Sequence, residues 1–275
     1  MTTVKAHAPA KINLTLHVTG QRADGYHLLD SLVCFGETGD VITVAAADET
    51  RITVSGPFAA AVPATPDNLV AQAADLLGVT AHIHIEKALP VAAGIGGGSA
   101  DAAATVRALT TLYDMPIPDD ETLLRLGADV PVCAHQGVVR MRGMGEVIDV
   151  VSDTPMAWET VLVNPGIPVS TPAVFARLAT RTNTPMAEPI PDPTDADFPN
   201  WLADQRNDLE GPAVALAPDI GQALAVLGQQ PGCRIARMSG SGATCFALFE
   251  RGRASHAVDT IKHAHPNWWA VLAIS

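Results

Sequence analysis

Hydrophobic and polar side chains alternate strictly near the start of the chain. Positions 12, 14, 16 and 18 are aliphatic, whereas positions 13, 15 and 17 are polar. This period of two predicts a half-buried strand over residues 11–18. Lys11 shares its parity with Asn13, so both side chains are expected on the face opposite the aliphatic residues.

The same reading predicts mixed elements through the rest of the first half. A helix is expected after Asp67, which can cap it, with an apolar stripe at Leu69, Ala73, Leu76 and Leu77 and an end at Gly78. A second helix is expected over residues 99–113, and a short one from Asp119 or Asp120 to about Gly127. Strands are expected at 27–35, 41–46, 51–55, 80–86, 138–141 and 146–151.

The second half is expected to order its elements as β-α-α-β-β-α-β, which is compatible with a ferredoxin-like α+β layer. Residues 182–199 hold several prolines and aspartates and are predicted to be an exposed excursion without an assigned function. A domain boundary is expected near residues 151–157. Strands are predicted at 158–163, 234–238, 243–249 and 269–274, and helices at 171–179, 207–217, 219–227 and 254–264.

Composition narrows the class of protein. The chain has 275 residues and a formal net charge of −12, which argues against nucleic-acid binding because such proteins carry a basic face. A hydrophobic content of 48% with 17% charged residues excludes global disorder. No apolar run is long enough to cross a bilayer, and four cysteines without a C-x-x-C pair favour a reducing cytoplasm over a disulfide framework.

A glycine-rich segment is the strongest chemical signal. Residues 94, 96, 97 and 98 are glycine, and a predicted helix follows at Ser99. Unobstructed backbone N–H groups before a helix N-terminus are suited to phosphate oxygens. The segment lacks the lysine of a P-loop and the third glycine of a dinucleotide fingerprint. It is therefore a different phosphate cradle, or a mobile turn between strand and helix.

Four further features each have a structural alternative. The turn from Ser239 to Gly242 is a hairpin loop or a second wall of the same site. Asp129 is a helix cap or a general base, and its spacing alone favours the cap. Lys11 is a surface lysine lying along apolar neighbours or a placed cation. His82 and His84 lack a third metal ligand and are interpreted as ordinary strand residues.

Three motifs in order resemble the GHMP kinase superfamily, and they span nearly the whole chain. They are the strand motif Pro9-Ala10-Lys11-Ile12-Asn13, the loop from Pro90 to Ser99, and the turn Met238-Ser239-Gly240-Ser241-Gly242-Ala243. The resemblance implies a two-domain α+β fold. Its N-terminal domain (1–153) would be like domain 2 of ribosomal protein S5 and carry the ATP loop, and its C-terminal domain (154–275) would be ferredoxin-like.

The resemblance also implies ATP as co-substrate, Mg²⁺ arriving with it, and no confident protein ligand for the metal. Asp129 matches the aspartate that takes the proton from the attacking hydroxyl, and Lys11 matches the lysine that orients and stabilises that hydroxyl. The expected ATP-binding residues are Asn68, Pro90, Val91, Ala92, Ala93, Gly94, Ile95, Gly96, Gly97, Gly98, Ser99 and Ala100.

Within the superfamily, the stretches 8–14, 22–27, 66–69, 127–131 and 207–210 are similar to those of kinases acting on a cytidine-diphosphate-linked methylerythritol. The resemblance implies phosphorylation of its 2-hydroxyl in the non-mevalonate route to isoprenoid precursors. Tyr26 and Phe175 match two aromatics that sandwich the cytosine, and His27 matches the reader of the base edge; ordinary packing is the alternative for both aromatics. The expected substrate-binding residues are Asn13, Tyr26, His27, Phe175, Ser239 and Gly240.

Two departures and several alternatives remain at this point. Ala100 stands where many relatives have a second serine, and Ser239 where threonine is common. A homoserine or mevalonate type of kinase, or a nucleotide-binding protein without catalysis, would share the fold. A small-molecule substrate with neither nucleic acid nor membrane is expected, and the sequence leaves monomer and homodimer open.

Overall fold

The computed structural model describes residues 2–135, 137–154 and 156–274. Within these ranges its strands are β1 (Thr3–Asn13), β2 (His17–Gln21), β3 (His27–Ala46), β4 (Arg51–Ser55), β5 (Ala81–Glu86), β6 (Val138–Gly143), β7 (Val147–Ser152), β8 (Glu159–Asn164), β9 (Cys233–Met238), β10 (Cys245–Phe249) and β11 (Trp269–Ile274). Its helices are α1 (Leu69–Leu77), α2 (Gly97–Tyr113), α3 (Asp120–Leu123), α4 (Val130–Ala134), α5 (Thr171–Ala176), α6 (Phe198–Ala203), α7 (Glu210–Leu216), α8 (Pro218–Gly228) and α9 (Ala254–Ala264).

The chain forms two compact units that do not follow the chain order. The first contains Met1–Ala10, Thr38–Val91 and Gly96–His135, and the second contains Lys11–Glu37, Ala92–Ile95 and Gln136–Ser275. Both β1 and β3 therefore contribute residues to both units. The domain boundary between residues 153 and 154 stays a prediction.

In the first unit, β5 pairs antiparallel with the second half of β3, from Val41 opposite Glu86 to Ala46 opposite Ala81. On its other side β5 pairs in parallel with β4. Helix α1 packs on α2, and α4 packs on α2 as well. The predicted helix over 69–77 is confirmed. Of its predicted apolar stripe Ala73 is buried, whereas the three leucines are only partly buried, and the other buried residues are Val70, Ala71 and Ala74.

In the second unit, the first half of β3 pairs with β2 and with β6, and β6 pairs with β7. A separate four-stranded antiparallel sheet has the order β11-β8-β10-β9. Numbered within the layer, this is order 4-1-3-2, so the predicted ferredoxin-like α+β layer is confirmed. Its helices α8 and α9 pack on these strands, where buried Val161, Ala247 and Ile261 belong to one core cluster.

Most of residues 182–199 are exposed, as the sequence predicts, but a few side chains in this range are buried. Met186 is 3% exposed, Phe198 is fully buried, and Pro199 is also buried. The main-chain N–H of Met186 donates to Asp30 Oδ2 at 2.9 Å. The interpretation as an exposed excursion is therefore wrong for Met186, Phe198 and Pro199, whose apolar side chains anchor the otherwise exposed stretch.

None of the four cysteines is part of a disulfide bond. Cys34, Cys133 and Cys245 are buried, whereas Cys233 is partly exposed. Burial raises the pKa of the Cys34 and Cys245 thiols. No single helix in the described ranges has the length and apolar character of a membrane span, although α7 and α8 together pass that test as a pair bent by 120°.

Candidate functional site

The glycine-rich segment leads into the longest helix of the first unit. Helix α2 begins at Gly97, two residues before its predicted start, with Gly96 as N-cap. The N–H of Ala100 donates to Gly96 O at 2.8 Å, so the N–H groups of residues 97–99 precede the first helical bond. They lie at the positive end of the helix dipole, which is an arrangement suited to phosphate oxygens.

In the second unit, the middle of this segment packs against the second glycine turn. Ala93 O accepts from the Thr244 N–H at 3.1 Å, and Gly94 O accepts from Ser239 Oγ at 3.1 Å. A Cβ on Gly94 would lie 2.7 Å from both Ser239 O and Gly242 O. The two glycine segments are thus one packed pair, and Gly94 has no room for a side chain.

Asn13 joins the same cluster. Its main-chain N–H donates to Ser239 Oγ at 3.0 Å, and its Nδ2 donates to Ser31 Oγ at 2.8 Å. Its Oδ1 lies 3.5 Å from the position that a Cβ on Gly240 would take. Three predicted substrate-binding residues, Asn13, Ser239 and Gly240, are therefore brought together.

Lys11 is buried at the same end of β1. It is 3% exposed, and its main-chain N–H donates to Ile95 O at 2.9 Å. The alternative of a surface lysine is therefore wrong. The prediction of one half-buried strand over residues 11–18 is also wrong, because all of these residues are buried and the chain leaves the strand between Asn13 and His17. The polar face is covered, since Thr15 Oγ1 contacts Met186 Sδ at 3.2 Å and His17 Nδ1 contacts Thr184 O at 3.2 Å.

Asp129 lies in the first unit, at the N-cap position of α4. Its side chain makes no capping hydrogen bond there. Asp129 therefore occupies the helix-cap position that its spacing favoured, but its carboxylate does not cap the helix N–H groups. This leaves the carboxylate without a helix-capping role, and its catalytic role stays a prediction.

Asn68 has a structural role that the sequence assigned to its neighbour. Its side chain caps α1 by accepting the Val70 N–H at 3.1 Å, and its Nδ2 donates to Pro63 O at 2.8 Å. The prediction that Asp67 caps this helix is wrong. A contact of Asn68 with ATP stays a prediction, and it would have to use atoms that do not take part in these bonds.

The remaining predicted ATP-binding residues differ in what they can present. Val91 is exposed, and Ala92 has a positive φ of 54°. The side chains of Ile95 and Ala100 are fully buried, and Pro90 is buried as well. These three can therefore offer a ligand little besides their backbone.

The three residues predicted to hold the base divide into a contacting pair and an exposed tyrosine. The His27 and Phe175 rings stack with centroids 4.6 Å apart and planes inclined by 24°. Tyr26 is 63% exposed. His27 Nε2 is buried without a hydrogen-bond partner among the described residues. Burial lowers the pKa of His27, and the charge of Arg181 lowers it further, so the imidazole is neutral near pH 7.

His82 and His84 are engaged by hydroxyl groups of the neighbouring strand. Thr53 Oγ1 lies 2.9 Å from His82 Nε2 and 2.9 Å from His84 Nδ1. Ser55 Oγ lies 3.0 Å from His84 Nε2. These contacts agree with the interpretation of His82 and His84 as ordinary strand residues.

Sequence reasoning missed a buried charge cluster beside the glycine-rich segment. Lys87 Nζ donates to Asp40 Oδ2 and to Asp101 Oδ2, each at 2.6 Å. No local motif marks these three residues, because their partners are far apart along the chain. The only available signal was a lysine placed directly after an alternating strand.

Comparison with known proteins identifies two family models along the chain. The N-terminal domain of GHMP kinases matches residues 68–147, and the C-terminal domain of GHMP kinases matches residues 198–267. The two matches lie on either side of the predicted domain boundary, and together they support a two-domain α+β fold.

Whole-chain relatives agree with these models. A 4-diphosphocytidyl-2-C-methyl-D-erythritol kinase from Cereibacter sphaeroides is 54% identical, covering 96% of each chain. One from Dinoroseobacter shibae is 52% identical, covering 98% of this chain and 94% of the relative. A crystal structure of 4-(cytidine 5'-diphospho)-2C-methyl-D-erythritol kinase superposes with a TM-score of 0.77 at 30% identity, covering 97% of both chains. Homoserine kinase from Cytophaga hutchinsonii, at 16% identity and a TM-score of 0.64, shares the fold.

Proposed function

Because this chain belongs to the GHMP kinases, and among them to the family of 4-diphosphocytidyl-2-C-methyl-D-erythritol kinases, we propose the following reaction. The protein transfers the γ-phosphoryl group of ATP to the 2-hydroxyl of 4-diphosphocytidyl-2-C-methyl-D-erythritol, giving the 2-phosphate and ADP. This step belongs to the non-mevalonate route to isoprenoid precursors. The observation that carries the proposal is the identity of more than half with such kinases over nearly the whole chain.

Phosphoryl transfer requires positioning and neutralisation of charge more than covalent help from the protein. The N–H groups in the first turn of α2 support a role in holding phosphate oxygens. Residues 90–100 and Asn68 would then form the ATP site. An acidic body of charge −12 is compatible with this, because backbone amides and Lys11 supply local positive charge.

Asp129 is the proposed general base, which takes the proton from the attacking 2-hydroxyl. Lys11 would orient that hydroxyl and stabilise its developing negative charge. The burial of Lys11 supports this role, since a charge interaction is stronger where water is excluded. Asn13, Ser239 and Gly240 would contact the sugar-alcohol end of the substrate.

His27 and Phe175 are proposed to hold the cytosine, together with Tyr26. A neutral imidazole offers one donor and one acceptor, which suits the edge of a pyrimidine. The buried Nε2 of His27 without a partner supports a role in which a ligand supplies the missing hydrogen bond. Phe175 would stack on the base.

Mg²⁺ would supply charge neutralisation on the β- and γ-phosphates. In the described part of the chain no three His, Cys, Asp or Glu side chains are grouped to hold a metal ion, so we expect the ion to arrive on ATP. Four cysteines that form no disulfide bond support action in a reducing compartment, for which we propose the cytoplasm.

The test is a coupled assay of ADP release with Mg·ATP and 4-diphosphocytidyl-2-C-methyl-D-erythritol. Homoserine and mevalonate are run beside it, and Asp129→Asn serves as the control for a contaminating kinase. We expect turnover with the cytidylyl substrate alone. Turnover with homoserine or mevalonate instead would overturn the proposed specificity, and ATP binding without turnover of any of them would favour a non-catalytic protein.

A further inference from the structure

The buried charge cluster of Lys87, Asp40 and Asp101 lies in the first unit, next to the start of α2. Lys87 and Asp101 are each 3% exposed, and Asp40 is fully buried. The Lys87 ammonium bonds to one oxygen of each carboxylate, both at 2.6 Å. Charges that are removed from water are stabilised only by well-placed partners. The three side chains therefore depend on one another to keep their positions.

The cluster links the two ends of the glycine-rich segment. Lys87 follows directly after β5, and Asp40 Oδ1 accepts the N–H groups of Ala88 at 2.6 Å and Leu89 at 2.8 Å. Asp101 lies in α2, beyond the segment. A Cβ on Gly97 would lie 3.2 Å from Lys87 Nζ. The ammonium therefore sits against the first residue of the helix that is proposed to bind phosphate.

The charges within the cluster do not balance. One ammonium faces two carboxylates, and Asp101 Oδ1 is buried without a hydrogen-bond partner among the described residues. Burial, together with the charge of the Asp40 carboxylate, raises the pKa of Asp101 to about 7 against the pull of Lys87. The carboxyl of Asp101 thus changes its charge near neutral pH.

Other charged groups approach the cluster from the Asp40 side. A Cβ on Gly39 would meet His7 Nε2 at 2.5 Å, and the charge of Asp40 acts on the His7 imidazole. Burial and the charge of Arg107 lower the pKa of His7, which leaves the imidazole neutral at neutral pH. The guanidinium of Arg107 is held by His7 O at 2.7 Å and Cys133 O at 3.2 Å.

We propose that Lys87, Asp40 and Asp101 are positioning residues for ATP, which hold the two ends of the glycine-rich segment together and set the charge behind its phosphate-binding amides. This inference rests on the proposed function. With Asp101 ionised, the cluster carries a net negative charge that opposes phosphate, and protonation of Asp101 removes it. ATP therefore binds more weakly as the pH rises through the titration of Asp101.

The first test separates the charge of Asp101 from its shape. Asp101→Asn keeps an oxygen for Lys87 Nζ and makes the cluster neutral at every pH of interest. We expect KM for Mg·ATP to rise between about pH 6 and about pH 8 in the wild type. This rise should be about threefold to tenfold larger than the rise in the variant over the same range. The titration of ATP itself is common to both proteins. KM for the cytidylyl substrate is expected to be the same in both.

The second test removes the cation. Lys87→Met is expected to raise KM for Mg·ATP about tenfold or more while changing kcat little, because two facing carboxylates then repel each other. Adding Asp101→Asn to it is expected to restore part of the loss. The matched control is Lys5→Met in the same unit, where Lys5 is exposed.

The inference is overturned if Asp101→Asn follows the wild-type pH dependence, or if Lys87→Met raises KM for both substrates equally. Titration calorimetry of the wild type and the Asp101→Asn variant with Mg·ATP, without acceptor, repeats the test independently of turnover. Failure of the wild type to phosphorylate the cytidylyl substrate contradicts the proposed function. A pH-dependent ATP affinity that vanishes in Asp101→Asn would still support the cluster.

Discussion

The imidazole of His27 lies stacked on the phenyl ring of Phe175, with centroids 4.6 Å apart. His27, which is proposed to bind the base edge, thus already covers one face of Phe175, which is proposed to stack on the base. A cytosine that stacks on Phe175 must displace this imidazole or use the opposite face of the ring. Tyr26, at 63% exposed, is free of such burial and can move with little loss of packing.

Phe175→Leu tests whether this ring binds a base or only completes the apolar face of α5. Leucine keeps the apolar contact with the core but removes the aromatic face, so we expect KM for the cytidylyl substrate to rise about tenfold. KM for ATP should not change. An unchanged KM for the cytidylyl substrate, with an unchanged thermal midpoint, would leave only the packing role.

Asp129→Asn tests the general base. The amide cannot take a proton from the attacking hydroxyl, so we expect kcat to fall by about a thousandfold. ATP binding, measured by calorimetry, should remain, because the carboxylate is not proposed to contact the nucleotide. Turnover close to that of the wild type would contradict the assignment of Asp129.

Gly94→Ala tests the packing of the two glycine segments. Its Cβ would lie 2.7 Å from Ser239 O and Gly242 O, so backbone must shift and we expect a loss of about 2 kcal/mol or more in the free energy of unfolding. Gly252→Ala is the matched control, because Gly252 also has a positive φ (78°) but nothing within 4 Å of an added Cβ. Equal losses measured by urea unfolding would show that backbone strain alone matters.

Asp101→Asn also changes how stability depends on pH. Burial raises the pKa of Asp101 in the folded protein above its unfolded value of 3.8. The favourable contribution of its protonated form is therefore fully present below the unfolded pKa, and it is lost as the pH rises through the folded pKa near 7. The asparagine of the variant does not titrate, so the variant does not lose this contribution. We therefore expect the thermal midpoint of the variant to rise relative to that of the wild type between about pH 5 and about pH 8. A constant difference across that range would contradict the shifted pKa.

Most helices and strands could be predicted from the sequence, because their signals lie within a few neighbouring residues. The alternation at 81–86 and the glycine that ends α1 at Gly78 depend only on neighbouring residues. The strand β3 was predicted as two pieces, because the polar and glycine residues between them imitate a turn. In the structure β3 pairs with β6 near its start and with β5 near its end. These two pairings keep the residues between them in one continuous strand.

Features that depend on distant partners could not be predicted. Lys11 was expected on a polar face, and burial of that face follows from segments far along the chain, such as Met186. The cluster of Lys87 with Asp40 and Asp101 has no local mark either. The ordered motifs did identify the glycine segments and Asn13, and the structure brings these together at Ser239.

The buried cysteines can report how often each unit opens. Cys133 lies in the first unit, and Cys34 and Cys245 lie in the second. All three are closed to reagents in the native state, and a thiol reacts with a disulfide reagent only as its exposed thiolate. Each residue should therefore be labelled at the rate at which its own unit opens. Mass spectrometry of labelled peptides would measure the opening rates of both units in one sample. Repeating the measurement with ATP or with substrate would show in which unit the ligand slows opening.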